Sequence, residues 1–426
     1  MLDIRFIRQH PDLVKAGAAK KHIPVDIDRL LEVDEERRAL LAQVDALRAE
    51  RNAASGRIAQ MKDEEKQQAI AEMKKVSAQI KTLEEGLRSV EEQYDALMLS
   101  VPNVPADEVP EGETDADNVE VRRWGAPPRF DFEPRDHVDL GESLDLIDIP
   151  RGVKLSGTRC YFLKNEGALL ELAVCKFALD LIVRKGFTPM ITPLFVRDEA
   201  MIGTGYFPWG RDQVYSLQGE DPALHLIGTS EVTVASYHYD EILQQDRLPL
   251  YYAGFTSCFR REAGTYGKDT RGLYRIHQFQ KVEQVVVCKN DPGASLSELE
   301  HLVGNAEEVL QALEIPYRVV NVCGGELGAP QVRKYDIECW MHSRAAYGET
   351  HSCSMFHEFQ ARRLKLRYRD EAGKVQFAHT LNNTLIASPR ILIPLLENNQ
   401  QQDGSVLIPK VLRAYMGGQE MIEPKR

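Results

Sequence analysis

The chain has 426 residues, of which 43% are hydrophobic and 28% charged, and its formal net charge at pH 7 is −12. Two domains are expected at this length, and no stretch approaches the roughly 18 apolar residues that a membrane-spanning helix needs. The opening MLDIRFIRQHPD lacks the apolar core of a secretion signal, and the seven dispersed cysteines contain no CxxC pair, so we expect reduced thiols in the cytoplasm.

Residues 28–99 are distinctive because no proline occurs between Pro24 and Pro102. Mostly apolar or small residues recur there at alternating steps of three and four, which is the spacing of a heptad seam. The two runs are Leu30, Val33, Arg37, Leu40, Val44, Leu47, Arg51, Ala54, Ile58 and Met61, and then Ala69, Met73, Val76, Ile80, Leu83, Leu87, Val90, Tyr94 and Leu97. The polar MKDEEK stretch between them shifts the phase, so an antiparallel coiled-coil hairpin of two helices, each roughly 50 Å long, is predicted.

The distal half of this hairpin carries many cations. They are Arg48, Arg51, Arg57, Lys62, Lys66, Lys74, Lys75, Lys81 and Arg88. Acidic residues are also plentiful there, so the charges alone fit either a solvated spacer coil or a surface that reads RNA shape through its phosphates. The negative net charge of the chain does not decide between these, because a local basic surface supplies phosphate contacts whatever the total.

A stretch rich in Pro, Gly, Asp and Glu, VPNVPADEVPEGETDADNVEVRRWGAPPRFDFEP, follows the hairpin. It predicts a linker with one short strand at Val119–Arg122. The predicted division is an N-terminal helical domain at 1–105, a linker at 106–137 and a second domain at 138–426.

The second domain combines helical and β-rich patterns. Helices are predicted at Asn165–Lys185, Leu296–Leu313 and Leu392–Asn399, and FTPMITP predicts an extended segment at an edge or interface. The β-rich runs are Leu248–Ala253, Gln278–Cys288, Tyr317–Val322, Gln331–Trp340, Arg363–Tyr368 and Val375–His379. Strands that follow strands indicate an α+β fold with an antiparallel sheet, and neither GxGxxG nor GxxxxGK[ST] occurs to support a Rossmann or P-loop nucleotide site.

The densest chemistry lies in FRREAGTYGKDTRGLYRIHQFQKVEQVVV. Arg260 and Glu262 are predicted to share one face of a strand, and Arg275, Phe279 and Glu283 a returning strand. Arginine can clamp a phosphate, glutamate can accept from an exocyclic amine, and phenylalanine offers a flat face to a base. A surface hairpin with ion pairs would contain the same residue types, so residue types alone leave both interpretations open.

This segment resembles motif 2 of class II aminoacyl-tRNA synthetases in the form found in seryl-tRNA synthetases. The likeness extends to MLDIRFIRQHPDLVK, to the hairpin and to LENNQQQDGSVLIPKVLRAYM, and so spans essentially the whole chain. It implies a seven-stranded antiparallel class II sheet, a homodimer, and an arm that grips the long variable arm of tRNA(Ser). The implied activity is that of a serine–tRNA ligase, which activates L-serine with ATP and Mg²⁺ to seryl-adenylate and then loads tRNA(Ser), and also tRNA(Sec); neither DNA nor a membrane is an expected partner.

Carried over by position, the resemblance implies an ATP site. Its residues would be Arg260, Glu262, Arg275, Phe279, Glu349, Ser352 and Arg390, with Arg260 and Arg390 as the catalytic cations. Glu349 and Ser352 would hold Mg²⁺; being three apart, they need a bulge or strand end to reach one ion. The resemblance places the serine pocket at Thr229, Glu231, Arg260, Glu283 and Thr384. GFTPMITPLFV resembles motif 1, which puts Pro193 at the dimer interface.

Three points remain open in the sequence. LNNTLIASPRILIPLLE differs from the glycine-containing motif 3 of many bacterial members, although its arginine is kept. A Cys/His-rich patch, whose spacing matches no zinc motif, contains Cys339, His342, His351, Cys353 and His357. Two alternatives to the ligase are a paralogue that loads a carrier protein and a non-catalytic RNA-binding protein; the retained arm argues against the first and the complete motif residues against the second.

Overall fold

The computed structural model describes residues 1–58, 61–264 and 271–425. The chain forms two compact units, one of Met1–Ala19 with Ile23–Pro102 and the other of Lys20–His22 with Asn103–Arg426. Within the described residues, no helix is long and apolar enough to cross a membrane.

Helices occur in both units. They are α1 (Ile4–Gln9), α2 (Pro11–Lys20), α3 (Ile27–Ile58), α4 (Asp63–Ser100), α5 (His137–Ser143), α6 (Ile149–Ser156), α7 (Asn165–Arg184), α8 (Asp198–Thr204), α9 (Glu231–Ala235), α10 (Pro292–Ala312), α11 (Phe359–Leu364), α12 (Ser388–Asn398) and α13 (Lys410–Arg413).

The strands lie in the larger unit. They are β1 (Val119–Trp124), β2 (Ile147–Asp148), β3 (Phe162–Leu163), β4 (Thr188–Met190), β5 (Phe195–Arg197), β6 (Leu224–Leu226), β7 (Ile242–Gln244), β8 (Leu250–Phe259), β9 (Gln278–Cys288), β10 (Tyr317–Asn321), β11 (Arg333–Met341), β12 (Ala346–His357), β13 (Arg367–Arg369), β14 (Val375–Phe377), β15 (His379–Ala387), β16 (Val406–Leu407) and β17 (Met421–Ile422).

The smaller unit contains the predicted hairpin, formed by α3 and α4. The two helices are antiparallel, because Arg29 contacts Gln93 (Nη2 to Oε1, 3.3 Å) whereas Arg48, further along α3, contacts the earlier Glu84 (Nη2 to Oε1, 2.6 Å). The predicted seams supply buried side chains on both helices, among them Val33, Val44, Ile80, Leu87 and Val90. The heptad prediction is therefore confirmed, while residues 59 and 60, which lie between α3 and α4 in sequence, are outside the described residues.

The larger unit is built on an eight-stranded sheet in the order β1-β10-β11-β12-β15-β9-β8-β4. The seven strands from β1 to β8 in this order pair antiparallel, as the resemblance implied, and β4 adds an eighth strand that pairs parallel to β8. Pro189 of β4 has no N–H to donate, which suits the edge position predicted for FTPMITP. Class α+β is thereby confirmed.

One face of this sheet is covered by helices and the other carries polar residues. α7, α10 and α12 pack on the sheet, and the main core contains Val282, Val286, Leu381 and Leu385. Because side chains alternate along a strand, Glu283 of β9 and Asn382 and Thr384 of β15 point the other way. This alternation places a polar surface in the middle of an otherwise apolar sheet.

Several predicted boundaries were wrong for identifiable reasons. β8 ends at Phe259, so Arg260 and Glu262 lie just beyond the strand rather than on it, and Glu262 has a φ of +50°. Arg275 precedes β9, which begins at Gln278. The apolar alternation of β8 stops at Phe259, and the charged residues that follow have no buried face to continue it.

Two central strands were missed altogether. β12 reads AYGETHSCSMFH and β15 reads HTLNNTLIA, both too polar to match a buried-strand pattern, because one face of each serves the polar surface described above. The strand predicted at Arg363–Tyr368 was also wrong, since α11 extends to Leu364 and β13 begins only at Arg367.

Both helices that follow the central strands begin earlier than predicted. α10 begins at Pro292, directly after Asp291, whose carboxylate accepts a hydrogen bond from the N–H of Ala294 at 2.9 Å. α12 begins at Ser388 and has Pro389 in its first turn. Proline suits the first turn of a helix because the N–H groups there have no partner within the helix.

Candidate active site

A pocket of about 210 Å³ opens on the polar face of the sheet. Ten of the residues assigned from sequence line it: Thr229, Glu231, Arg260, Glu262, Phe279, Glu283, Glu349, Ser352, Thr384 and Arg390. Two assigned residues do not line it, namely Arg275, which contacts a lining residue, and Pro193. Side chains up to 161 positions apart in sequence, from Thr229 to Arg390, are thus brought to one site.

Arg260 and Phe279 form one wall of the pocket. The Arg260 guanidinium lies 5.3 Å from the centroid of the Phe279 ring, and its Nε donates to the carbonyl of Gly228 at 3.2 Å. The backbone of Arg260 is fixed by His277, whose Nδ1 donates to the Arg260 carbonyl at 2.9 Å. A fixed cation beside an aromatic face suits a ligand that joins a phosphate to a flat base.

Glu262 is held beside this wall by arginines. Arg275 Nη1 lies 3.4 Å from Glu262 Oε2, and Arg159 Nη1 donates to the Glu262 carbonyl at 3.3 Å. Arg275 therefore contacts the carboxylate of Glu262, which lines the pocket, but does not line the pocket itself. Residues 265–270, between these two limbs of the motif, lie outside the described part of the chain.

A second cation, Arg390, enters from the first turn of α12. Its Nε donates to the carbonyl of Tyr274 at 3.2 Å, and its guanidinium lies 4.6 Å from the centroid of that tyrosine ring. Its Nη1 lies 3.2 Å from Glu349 Oε1. Burial raises the pKa of Glu349, but Arg390, Lys334, Arg260 and Arg275 outweigh it, so that the pKa lies below its usual value and the group is a carboxylate.

Glu349 and Ser352 both reach the pocket because β12 contains a bulge. His351 pairs with Ile337 and Glu349 with Glu338, so Thr350 is the extra residue. The bulge predicted from the three-residue spacing is present. Asp336 lies opposite Ser352 in the ladder, and its buried Oδ1 has no hydrogen-bond partner. Burial raises the pKa of Asp336 to about 6.

The opposite end of the pocket is a buried network of carboxylates. Asn382 Nδ2 donates to both Glu231 Oε2 and Glu283 Oε1, each at 2.9 Å. Lys281 Nζ lies 2.5 Å from Glu283 Oε2 and 2.6 Å from Thr229 Oγ1. Thr384 Oγ1 donates to Glu283 Oε2 at 3.3 Å. Burial and the nearby charge of Glu283 raise the pKa of Glu231 to about 7.

Sequence reasoning missed several lining residues, some of which had a usable signal. Lys281 lies two positions before Glu283 on β9, and Asn382 two before Thr384 on β15, so the period of a strand places each pair on one face. Tyr206 and Gln331 line the pocket from loops, where no periodicity could have indicated them.

The Cys/His-rich patch is dispersed by the fold. Cys339 Sγ and His351 Nδ1 both contact Thr350 Oγ1, at 3.1 and 2.7 Å. His357 stacks on His379 with centroids 4.7 Å apart, and His342 packs edge-on against Phe130. Cys353 Sγ points to the carbonyl of Leu299 at 3.8 Å. In the part of the chain that the structure describes, no group of three or more His, Cys, Asp or Glu residues is arranged to hold a metal ion.

The antiparallel sheet, with Arg260 and Phe279 at one end of the strand pair β8 and β9, has the arrangement that the resemblance to class II aminoacyl-tRNA synthetases implied, and the comparisons with known proteins show that class. Residues 215–399 match the family model of the tRNA synthetase class II core domain (G, H, P, S and T), and residues 1–105 match that of the seryl-tRNA synthetase N-terminal domain. The chain is 48% identical to the serine–tRNA ligase of Deinococcus radiodurans, with 99% of each chain covered, and 46% identical to that of Trichlorobacter lovleyi, with 99% of this chain and 100% of the relative covered. The chain belongs to the serine–tRNA ligase family, that of the seryl-tRNA synthetases.

Solved structures agree with this assignment. The seryl-tRNA synthetase of Pyrococcus horikoshii complexed with ATP is 39% identical, with a TM-score of 0.92 and 100% of both chains covered. The cytoplasmic serine–tRNA ligase of Naegleria fowleri in complex with AMP is 32% identical, with a TM-score of 0.87 and 100% and 99% of the two chains covered. The prolyl-tRNA synthetase of Giardia lamblia, at 12% identity and a TM-score of 0.56, shares a fold with 65% of this chain, which corresponds to 54% of its own.

Proposed function

We propose that this chain is a serine–tRNA ligase that converts L-serine and ATP to seryl-adenylate and transfers the seryl group to tRNA(Ser). The observation that carries the proposal is a single pocket with two arginines and an aromatic ring at one end and a buried carboxylate network at the other. In this proposal residues 1–105 form the tRNA-binding domain, residues 106–137 form a linker, and residues 138–426 form the catalytic domain.

ATP occupies the arginine end in this proposal. Phe279 stacks on adenine and Glu262, backed by Arg275, accepts from its exocyclic amine. Arg260 holds the α-phosphate and the serine carboxylate, and Arg390 lies over the γ-phosphate. The bidentate geometry of arginine suits these contacts, and both side chains are already fixed by backbone carbonyls, so little entropy is lost on binding.

The residues beside Arg390 fit a Mg²⁺ ion that arrives with ATP. Mg²⁺ is usually held by one or two carboxylates together with substrate phosphates and water, rather than by a full protein cage. Glu349 and Ser352 offer oxygen ligands on one side of the bulged strand, and the unpartnered Oδ1 of Asp336 adds a buried oxygen beside them. When bound there, Mg²⁺ would neutralise charge on the phosphates.

Serine occupies the carboxylate end. Glu283 and Glu231 face its ammonium and hydroxyl groups, and Thr229 and Thr384 complete the polar contacts. Asn382 and Lys281 hold the two carboxylates apart in fixed positions. Alanine offers no hydroxyl group to these buried polar side chains, so the site should favour serine over it strongly.

The chemistry requires positioning rather than a protein nucleophile. The serine carboxylate attacks the α-phosphorus in line and pyrophosphate leaves, while Arg260 and Arg390 stabilise the charge that develops on the phosphoryl oxygens. The terminal ribose hydroxyl of the tRNA then attacks the adenylate carbonyl, and AMP leaves.

The arm formed by α3 and α4 is proposed to bind the long variable arm of tRNA(Ser), and that of tRNA(Sec), through its distal cations. Recognition of RNA shape through phosphates suits a projecting helical surface that carries lysine and arginine.

A homodimer is proposed to form through the segment that contains Pro193. Ile191 and Phe195 are exposed on this segment, Ile191 to 90%, and Leu169 and Leu172 are exposed on α7, which contacts β4. Apolar surface of this kind commonly marks a protein interface. A cytoplasmic location is proposed because all seven cysteines are free thiols.

The test is serine-dependent ATP–pyrophosphate exchange with Mg²⁺, followed by charging of tRNA(Ser). Exchange with serine but not with alanine, threonine or cysteine is expected, together with charging. Exchange without charging, and with transfer to a carrier protein, would favour the paralogue; folded protein without any exchange would favour the non-catalytic alternative.

A further inference from the structure

His137 and Glu397 form a buried pair outside the pocket. His137 Nδ1 lies 2.7 Å from Glu397 Oε1, and the two side chains are 9% and 0% exposed. Glu397 also accepts from the backbone N–H of His137 at 3.0 Å, through Oε1, and from that of Ser343 at 2.9 Å, through Oε2. Burial raises the pKa of Glu397, but these hydrogen bonds outweigh it, and the pKa lies below its usual value. The pair is thus a carboxylate and an imidazole held in one orientation.

The second ring nitrogen of His137, Nε2, faces Leu273, which lies in the segment before β9 that is proposed to bind ATP. The N–H of Leu273 donates to His137 Nε2 at 3.2 Å, so Nε2 is the acceptor and Nδ1 carries the proton that it donates to Glu397. The contact is close because Gly272 lies directly against the imidazole; a Cβ atom at Gly272, which has a φ of +82°, would meet His137 Nε2 at 2.1 Å. Arg271, one residue earlier, is paired with Asp136 and Asp139 at the first turn of α5.

Leu273, which contacts His137, is adjacent in sequence to a residue that contacts Arg390. Leu273 is followed by Tyr274, whose carbonyl accepts from Arg390 Nε at 3.2 Å and whose ring lies 4.6 Å from the Arg390 guanidinium. Arg390 and Glu397 are seven residues apart on α12, which is two helical turns and therefore the same side of the helix. α12 thus holds this segment at two places. Arg390 contacts Tyr274 directly, whereas Glu397 contacts His137, which in turn contacts Leu273.

We propose that His137, oriented by Glu397, is a positioning residue that holds Leu273 and Tyr274 and thereby sets the place of Arg390 for ATP. The proposal rests on the proposed function only for the role of Arg390. It predicts that loss of the Nε2 acceptor weakens ATP binding and leaves serine binding unchanged, because the carboxylate network contacts neither His137 nor Glu397.

The two side-chain nitrogens can be tested separately. His137→Asn keeps an amide N–H near the position of Nδ1 but removes the acceptor for Leu273, whereas His137→Gln can place an oxygen near the position of Nε2. His137→Asn is expected to raise the Kd for ATP·Mg²⁺, measured by calorimetry, about five- to tenfold, which corresponds to one lost hydrogen bond. His137→Gln should stay within about twofold of wild type.

His238 provides a matched control. It is also buried and bonded at both nitrogens, to Glu241 Oε2 at 2.7 Å and Tyr252 OH at 2.8 Å, but it does not contact the ATP-binding segment. His238→Asn should lower the melting temperature without changing the Kd for ATP. If the His137 variants fail to fold, Gly272→Ala is the second variant. Its added methyl group would push against His137 Nε2 and disturb the contact with Leu273, so it should also raise the Kd for ATP.

The exchange assay on wild type separates the two proposals, since wild-type protein that binds ATP but shows no serine-dependent exchange contradicts the proposed function alone. An unchanged Kd for ATP in His137→Asn overturns the positioning role, as does an equal rise in the KM for serine, or an equal loss in His137→Asn and His137→Gln.

Discussion

The coiled-coil arm and the catalytic pocket are stabilised by contacts of very different range along the chain. In the arm, most buried side chains belong to a seam that repeats every three or four positions, and their partners follow from the register of one hairpin. In the pocket, Asn382 bridges Glu231 and Glu283, which lie 151 and 99 positions away from it. The arm is thus a local structure that can change without the pocket. The pocket depends on many distant segments at once, and the predictions below use this difference.

Deletion of residues 35–93, with the ends joined by a short Gly/Ser linker, should separate the two regions most strongly. We expect aminoacylation of tRNA(Ser) to fall about a thousandfold or more, because most phosphate contacts are lost, while ATP–pyrophosphate exchange stays within about threefold. Both activities are measured on the same preparation, and a thermal melt checks that the catalytic unit is folded. If exchange falls as far as aminoacylation, the arm supports the catalytic unit rather than binding tRNA.

Arg260→Ala should have the converse effect and reduce both activities in parallel. Loss of a fixed charge donor at the reacting phosphate is expected to lower kcat for exchange by about 10²–10³-fold. Arg362→Ala is the matched control, because Arg362 pairs with Glu358 at 2.7 Å and does not line the pocket. Near-normal exchange in Arg260→Ala would contradict the phosphate-clamp role.

The arm could be predicted from the sequence more completely than the pocket. The seams of α3 and α4 could be assigned from spacing alone, because helix periodicity and burial coincide there. Arg260, Phe279 and Glu283 could be proposed from residue type and motif resemblance, although the strand that was to carry Arg260 ends one residue earlier. His137 could not be found, because its role depends on Glu397, 260 positions away, and on Leu273.

The missed strands have a related cause. β12 and β15 both contain several buried polar residues, and a polar residue such as Asn382 normally signals exposure. Here its amide is buried because Glu231 and Glu283 satisfy it. Hydrophobic periodicity does not predict a strand where a site lies in the centre of a sheet, because the polar residues of the site make the strand resemble an exposed segment.

The pH dependence of serine use tests the carboxylate end of the pocket. Because the pKa of Glu231 is raised to about 7, the group is increasingly protonated below that pH and loses the charge that faces the serine ammonium. We expect kcat/KM for serine to fall about tenfold per pH unit below 7, and Glu231→Gln to remove this limb while lowering the plateau.

The same pKa gives a stability test with a defined sign. An acid whose pKa is raised on folding costs stability as pH rises from its unfolded value near 4.5 to its folded value near 7. Glu231→Gln should therefore melt at a higher temperature than wild type at pH 8, and at about the same temperature at pH 4. A melting difference that is independent of pH would show that folding does not shift the pKa of Glu231.

The smallest effect is expected from a single exposed cation on the arm, where many weak contacts share the binding of one RNA. Lys81→Gln should raise the KM for tRNA(Ser) only about two- to threefold and reduce the slope of log K against log salt by less than about one, which is the share of one phosphate contact. Glu85→Gln, one helical turn away and also exposed, removes a charge of the opposite sign and should lower KM or leave it unchanged. Exchange should not change in either variant, because neither charge belongs to the pocket. If both variants raised KM equally, local helix stability rather than phosphate contact would explain the effect, and the cations of the arm would be a solvated surface.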